Sequence, residues 1–334
     1  MESLNLLLEQ QSLDFDTATE LFSAAMRGQL DEVQLTAALI ALKFKGETAE
    51  EIAGAAKAMR DHATAFDSHG LLCADSCGTG GDGTNTINVS TTAAIVAATC
   101  GIHMVKHGNR SVSSKSGSAD LLKTLGINLD MDPILGAHCL QQTNFTFLFA
   151  PHYHAGVKHA MPVRTRLKTR TLFNILGPLA NPARPQVQLL GVYDPKLCRP
   201  MAETLQKLGT QRAMVVHGSG CDEIALHGET QVTELNQGVL TDYTLTPEDF
   251  GLARYPLEAI FGDTPEFNAQ ATRDILDGKG KEAHNAAIIA NVAALLVMTD
   301  KAADLKSASA QVAQVLASGR CAEKLAEIVG VSHG

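Results

Sequence analysis

Cys77-Gly78-Thr79-Gly80-Gly81-Asp82-Gly83 sets four glycines in the six positions from Gly78, with a carboxylate among them. A run with so few side chains cannot be a core element. Glycine lacks a Cβ, so the backbone there can take positive φ and approach a ligand closely. Upstream, Leu71-Leu72-Cys73-Ala74 reads as a short buried strand. Downstream, Asn88-Val89-Ser90-Thr91-Thr92 opens an apolar helix through Ala93-Ala94-Ile95-Val96-Ala97-Ala98. Strand, glycine loop and helix N-terminus together form an anion site, where free N–H groups and the positive dipole end point at the bound group. A P-loop would continue Gly-Lys-Ser/Thr, but Thr84 and Asn85 follow Gly83. Gly78, Gly80 and Gly83 fit the Gly-x-Gly-x-x-Gly spacing of dinucleotide sites. The helix, however, starts only near Ser90, and a lone match of that kind is weak.

Outward from this loop the pattern divides. Residues 1–68 read as helices only. Asp16 can cap a helix running through Arg27 to Gly28, and Asp31 another running to Lys45 and Gly46. Thr48 with Glu51 makes a capping box for a third, through roughly His62. From Leu71 short apolar strands alternate with helices. Strands are predicted at Met104-Val105, Phe145–Leu148, Val187–Val192 and Ala213–His217, and helices near Ser118–Leu125, Pro133–Gln142 and Pro195–Leu208. Residues 224–250 read as a β-rich excursion turning at Gly228 and Gly238, and 268–329 as helices, one of them apolar through Ile288–Val297. The expected fold is α/β: a small helical N-terminal domain (1–68, joined by part of about 155–185) and a larger α/β domain (69–334) with a mainly parallel central sheet.

The chain of 334 residues is 45 % hydrophobic and carries a net charge of −9. That balance argues against nucleic-acid and anionic-membrane partners, which call for a basic face. There is no basic-then-apolar leader and no membrane-length apolar run, and the seven cysteines form no Cys-x-x-Cys pair. Free thiols in a reducing cytoplasm are expected.

A second cluster, Lys106-His107-Gly108-Asn109-Arg110-Ser111-Val112-Ser113-Ser114-Lys115-Ser116-Gly117-Ser118, lies between a predicted strand and helix, where α/β sheets place ligands. Its hydroxyls, amides and Lys106 suit an extended phosphate, and Asn109 can both donate and accept. Two separated anion loops suggest a ligand with two phosphate groups. Asp222-Glu223, after the strand ending at His217, suits a hard cation such as Mg²⁺ shared with phosphate oxygens. The basic run from Arg164 to Arg170 could supply an arginine to clamp a carboxylate. His152 and His154 read as loop packing.

With these segments in hand, the chain resembles the anthranilate phosphoribosyltransferases of the tryptophan pathway. The likeness rests on Cys77–Asp82, Asn88–Thr91, Lys106–Arg110, Ser116-Gly117-Ser118-Ala119-Asp120, Arg170-Thr171-Leu172-Phe173-Asn174-Ile175-Leu176-Gly177-Pro178-Leu179 and Asp222-Glu223, in family order. Ala155 and Lys168 stand where many relatives carry Pro and Gly. The resemblance implies transfer of a phosphoribosyl group from phosphoribosyl pyrophosphate to anthranilate, with Mg²⁺, by a homodimer joined through its helical part. By position, Gly78, Gly81, Asp82 and Thr86 would line the donor. Asn88, Val89, Ser90 and Thr91 would meet its pyrophosphate. Lys106, His107, Gly108, Asn109, Arg110, Ser111, Val112, Ser113, Ser114 and Ser118 would hold donor phosphates. Gly78, Asn109 and Arg164 would contact anthranilate, and Ser90, Asp222 and Glu223 the metal. His107 is the one candidate for a general base. Two other functions stay open on sequence alone: a nucleoside phosphorylase on the same fold, and a non-enzymatic nucleic-acid-binding relative, which the acidic balance and the intact acidic pair disfavour.

Overall fold

A computed structural model describes residues 2–111 and 115–334. Four helices come first: α1 (Glu2–Leu8), α2 (Phe15–Met26), α3 (Glu32–Lys45) and α4 (Ala49–Asp61). Asp31 and Thr48 cap α3 and α4 as predicted, each in a reciprocal capping box. The cap of α2 is Asp14, not Asp16. Asp14 has the extended backbone that a cap requires and accepts from Thr17 N–H, while Asp16 already lies in the first turn. Glu51 of the second box is fully buried. Its carboxylate also accepts from Leu13 N–H (3.0 Å) and from Lys45 Nζ (2.9 Å), so one acid fastens three segments of the bundle.

The remainder alternates strand and helix: β1 (Cys73–Gly78), α5 (Val89–Thr99), β2 (His103–Gly108), α6 (Ser118–Leu125), α7 (Pro133–Thr143), β3 (Phe145–Phe149), α8 (Ala150–Tyr153), α9 (Met161–Leu167), α10 (Phe173–Leu176), β4 (Val187–Gly191), α11 (Cys198–Lys207), β5 (Arg212–Gly218), β6 (Thr230–Asn236), β7 (Val239–Leu245), α12 (Pro265–Leu276), α13 (Glu282–Met298), α14 (Leu305–Ala317) and α15 (Arg320–Ser332). The seven strands form one sheet in the order β3-β2-β1-β4-β5-β6-β7. The first five in sequence are parallel. The β6–β7 hairpin is antiparallel and turns at Gln237-Gly238, both at positive φ, as a two-residue hairpin turn requires. The sheet is mainly parallel, as expected.

β1 starts two residues later than predicted and runs into the glycine motif. Leu71 and Leu72 stay outside it, and Leu72 is exposed. One face of the sheet is covered by α5, α6, α7 and α12–α15. α13 is apolar on all sides because it lies between α5, α14 and the sheet. On the other face α11 and the helical bundle share a second core with Ala160, Val163 and the segment Leu172–Ala180. Buried Arg60 of α4 donates to Leu179 O (2.6 Å), tying the bundle to that segment.

Candidate active site

The strand order reverses direction between β1 and β4, and open α/β sheets bind ligands outside the carboxyl ends of the strands at such a point. Gly78 and Gly191 are register partners at the ends of these two strands. Their lack of side chains has a purpose: a Cβ on Gly78 would collide with the Asp222 carboxylate, and one on Gly191 with the Asp222 backbone. The acidic pair, carried on the segment after β5, therefore sits directly over the switch point. Asp222 Oδ2 accepts from Gly80 N–H (2.6 Å), and Asp222 N–H donates to Asp82 (3.3 Å). Asp82 also accepts from Thr84 N–H (3.1 Å) and Thr84 Oγ1 (2.6 Å), so it turns the glycine loop and docks it on the acidic pair.

Three carboxylates thus crowd together. Burial and then the neighbouring Asp82 charge push Asp222 up to about 7. Burial and then Asp222 push Glu223 well above the carboxylate range, against the pull of Lys106 and of Ser90 N–H, which donates to Glu223. Hard oxygens short of positive charge fit Mg²⁺. Among the described residues no three side chains enclose a cation on their own. Mg²⁺ keeps waters and shares phosphate oxygens rather than filling an all-protein cage.

The second loop is built around α6. Asp120 accepts from Gly117 N–H (3.0 Å) and Ser111 N–H (3.1 Å), and the Asn109 carbonyl accepts from Ser118 Oγ (3.2 Å) and Ala119 N–H (3.2 Å). Arg110 lies over the Phe149 ring, 5.8 Å from its centre. Asn88 Nδ2 donates to Ser116 O (3.1 Å), joining this loop to the start of α5, where Val89 and Thr91 are buried and Ser90 is half-buried. Val112, Ser113 and Ser114 lie outside the described residues. Thr86 pairs with Phe261 at the edge of the first loop.

Lys106 points inward. Its ammonium donates to Ser76 O (2.6 Å) in a residue only 2 % exposed, and its charge acts on both Asp75 and Glu223. Asp75 is fully buried and bonded to Asn181 Nδ2 (2.9 Å). His107 is also buried. Its Nδ1 faces Gly177 O (3.2 Å), and its Nε2 stands 3.2 Å from His154 Nε2. Burial, then His154, pulls the His107 pKa down to about 3. With both ring nitrogens engaged and so low a pKa, His107 is poorly matched to a general base at neutral pH. Arg164 is half-buried over the Phe173 ring (5.4 Å), its pKa lowered by burial.

Sequence reasoning missed four of these parts. His154 packs in its loop as read, but its partner there, His107, was not foreseen. Gly191 ends β4 just as Gly78 ends β1, a signal that was readable. Asp75 gave none. Arg170 donates to Gly81 O and stacks 4.2 Å from the centre of the Tyr193 ring, clasping the glycine loop from the far side.

The chain matches the helical bundle domain of a glycosyl transferase family over residues 1–63 and the a/b domain of that family over residues 71–322. The anthranilate phosphoribosyltransferase of Pseudoalteromonas translucida is 62 % identical over 98 % of this chain and 92 % of its own length. The crystal structure of the Thermus thermophilus anthranilate phosphoribosyltransferase superposes with a TM-score of 0.95 at 40 % identity, covering both chains completely. The Saccharomyces cerevisiae anthranilate phosphoribosyltransferase, solved in complex with PRPP and Mg, gives 0.90 at 28 % identity over 99 % of this chain and 97 % of that one. Two family domains matched in order, and relatives similar over nearly the whole chain, agree: this chain belongs to the anthranilate phosphoribosyltransferases.

Proposed function

We infer that the protein transfers the 5-phosphoribosyl group of phosphoribosyl pyrophosphate to anthranilate, giving N-(5-phosphoribosyl)anthranilate and pyrophosphate, the second step from chorismate to tryptophan. The amine nitrogen bonds to C1 of the ribose while the bond from C1 to the pyrophosphate oxygen breaks. Pyrophosphate leaves with that electron pair, and the new secondary amine gives up a proton to water. An aromatic amine is a weak nucleophile, so the barrier lies in the departure of the leaving group. Positioning and charge stabilisation then carry the catalysis, with no covalent intermediate.

The observation that carries the assignment of roles is Asp222 seated over the switch point and bonded to the glycine loop. Gly78, Gly81, Asp82 and Thr86 line the donor. The N-terminus of α5, at Asn88, Val89, Ser90 and Thr91, meets its pyrophosphate. Asn109, Arg110, Ser111 and Ser118 hold its other phosphate, and Lys106 contributes positive field from beneath. Ser90, Asp222 and Glu223 would hold Mg²⁺, which when bound neutralises charge on the leaving pyrophosphate. Arg164, with Asn109 and Gly78, orients anthranilate by its carboxylate. His107 shapes that site and takes no proton. The bundle domain spans 1–68 and the α/β domain 69–334. Part of 155–185 belongs with the bundle, supported by the core that Ala160, Val163 and Phe173 share with it. Seven free cysteines support a cytoplasmic setting, and no helix of the described residues is long and apolar enough to cross a membrane.

Anthranilate fluorescence should decay when donor and Mg²⁺ are added. Arg164→Ala should raise the KM for anthranilate by about a hundredfold, as loss of a charged hydrogen-bond partner predicts, and leave the donor KM close to wild type. An unchanged anthranilate KM would remove Arg164 from the acceptor site.

A further inference from the structure

The chain from Ile260 to Asn268 closes against the first donor loop. Ile87 N–H donates to Ile260 O (2.9 Å) and Gly262 N–H to Asn85 O (2.8 Å). A Cβ at Gly262 would stand 2.6 Å from both Thr86 O and Asn268 Oδ1, so only glycine permits this approach. Asn268, in the first turn of α12, is 2 % exposed and has both ends of its amide engaged. Oδ1 accepts from Asp263 N–H (2.9 Å), and Nδ2 donates to Asn88 Oδ1 (2.8 Å). Asn88 immediately precedes α5 yet makes no side-chain cap there. It is committed instead to the second loop: its Oδ1 also accepts from Ser116 Oγ (3.1 Å), and its Nδ2 donates to Ser116 O (3.1 Å). Lys115 and Asp263 close the same circuit at the surface (2.6 Å).

We propose that Asn268 is a positioning residue for the phosphoribosyl donor: acting through Asn88, it fixes the N-terminus of α5 and the Ser116–Ser118 start of α6 at the separation that a two-ended anion needs. Asn268 itself touches no substrate. A buried amide whose two ends are matched to a donor and an acceptor on different segments sets geometry as well as stability. The inference rests on Asn88 and the α5 N-terminus meeting the donor.

Steady-state kinetics on full-length Asn268→Ala and Asn268→Asp test it, with donor and anthranilate varied separately at a temperature where both variants are folded by circular dichroism. Aspartate keeps the size and the bond from Asp263 N–H but cannot donate to Asn88. Both variants should raise the donor KM about tenfold, the worth of one buried hydrogen bond, and move the anthranilate KM less than about twofold. In an Asn88→Ala background, Asn268→Ala should add nothing to the donor KM. A raised donor KM in Asn88→Ala with wild-type values in both Asn268 variants overturns the proposal, as do equal rises in both KM values or independent effects in the double variant. A wild-type donor KM in Asn88→Ala itself is a separate failure, of the donor assignment, and takes the inference with it.

Discussion

His107 and His154 face one another through their Nε2 atoms, 3.2 Å apart in a buried space. Gly177 O faces Nδ1 of His107, and the backbone of Met59 and Ala180 bonds His154, so each neutral ring holds its one proton within a closed set of partners. A second proton would place two cations in a buried space, and both pKa values lie below the ordinary 6.5: His107 at about 3, His154 at about 4, by burial first. The unfolded chain therefore binds more protons than the native one between pH 4 and 6.5. The stability held by neutral imidazoles is complete above pH 6.5 and is lost as pH falls through that window. The raised pKa values of Asp222 and Glu223 act with the opposite sign, so the useful measurement is a difference. His154→Gln should remove a slope on the order of 1 kcal/mol per pH unit between pH 6 and 4.5, read as unfolding free energy in urea. Equal slopes in variant and wild type would refute the neutral pair. No sequence pattern announces such a pair. Lys106-His107 and His154 are 47 positions apart and meet only because β2 and the helix following β3 leave the sheet at the same end.

At the scale of elements, Lys168 closes α9 in the left-handed region, at φ 46° and ψ 32°. A side chain there costs about 1–2 kcal/mol, part of which glycine returns as unfolded-state entropy. Lys168→Gly should thus stabilise the protein by about 0.5–1 kcal/mol in urea titration, with kinetics unchanged because the lysine is exposed. A lower midpoint would mean that the lysine side chain holds the segment in a way its backbone does not reveal. The helices were legible because their signals are local: caps such as Asp31 and Thr48 lie within three residues of what they bond. The start of β1 was not. Leu71 and Leu72 carry strand-like composition, but pairing with β2 begins only at Cys73, and composition cannot report where a partner strand starts. The glycine loop and the acidic pair were each visible. Their union was not, because Gly191, which makes room for Asp222, belongs to a strand more than a hundred residues from Gly78.

The whole molecule poses the remaining question in α3, which is apolar on two opposite sides. Leu35, Ala38, Leu39 and Leu42 are buried in the bundle. Val33, Ala37, Ile40 and Phe44, at i, i+4, i+7 and i+11, fall on the other face, where Val33 is 77 % and Phe44 85 % exposed. A helix apolar on two opposite faces normally has partners on both, and among the described residues Val33 and Phe44 stay mostly uncovered. The family resemblance implies a dimer through the helical part, and a second copy of α3 across a two-fold axis would cover the stripe with itself. Phe44→Glu would then bury an unpaired carboxylate at each end of that contact, a cost of several kcal/mol for the dimer. Sedimentation velocity at micromolar concentration should find the wild type at twice the mass of the chain and Phe44→Glu at a single mass. The proposed site residues all belong to one chain, so kcat should stay within about threefold in that monomer. A wild type that already sediments as one subunit would show that α3 faces water, and its exposed stripe would then need another partner.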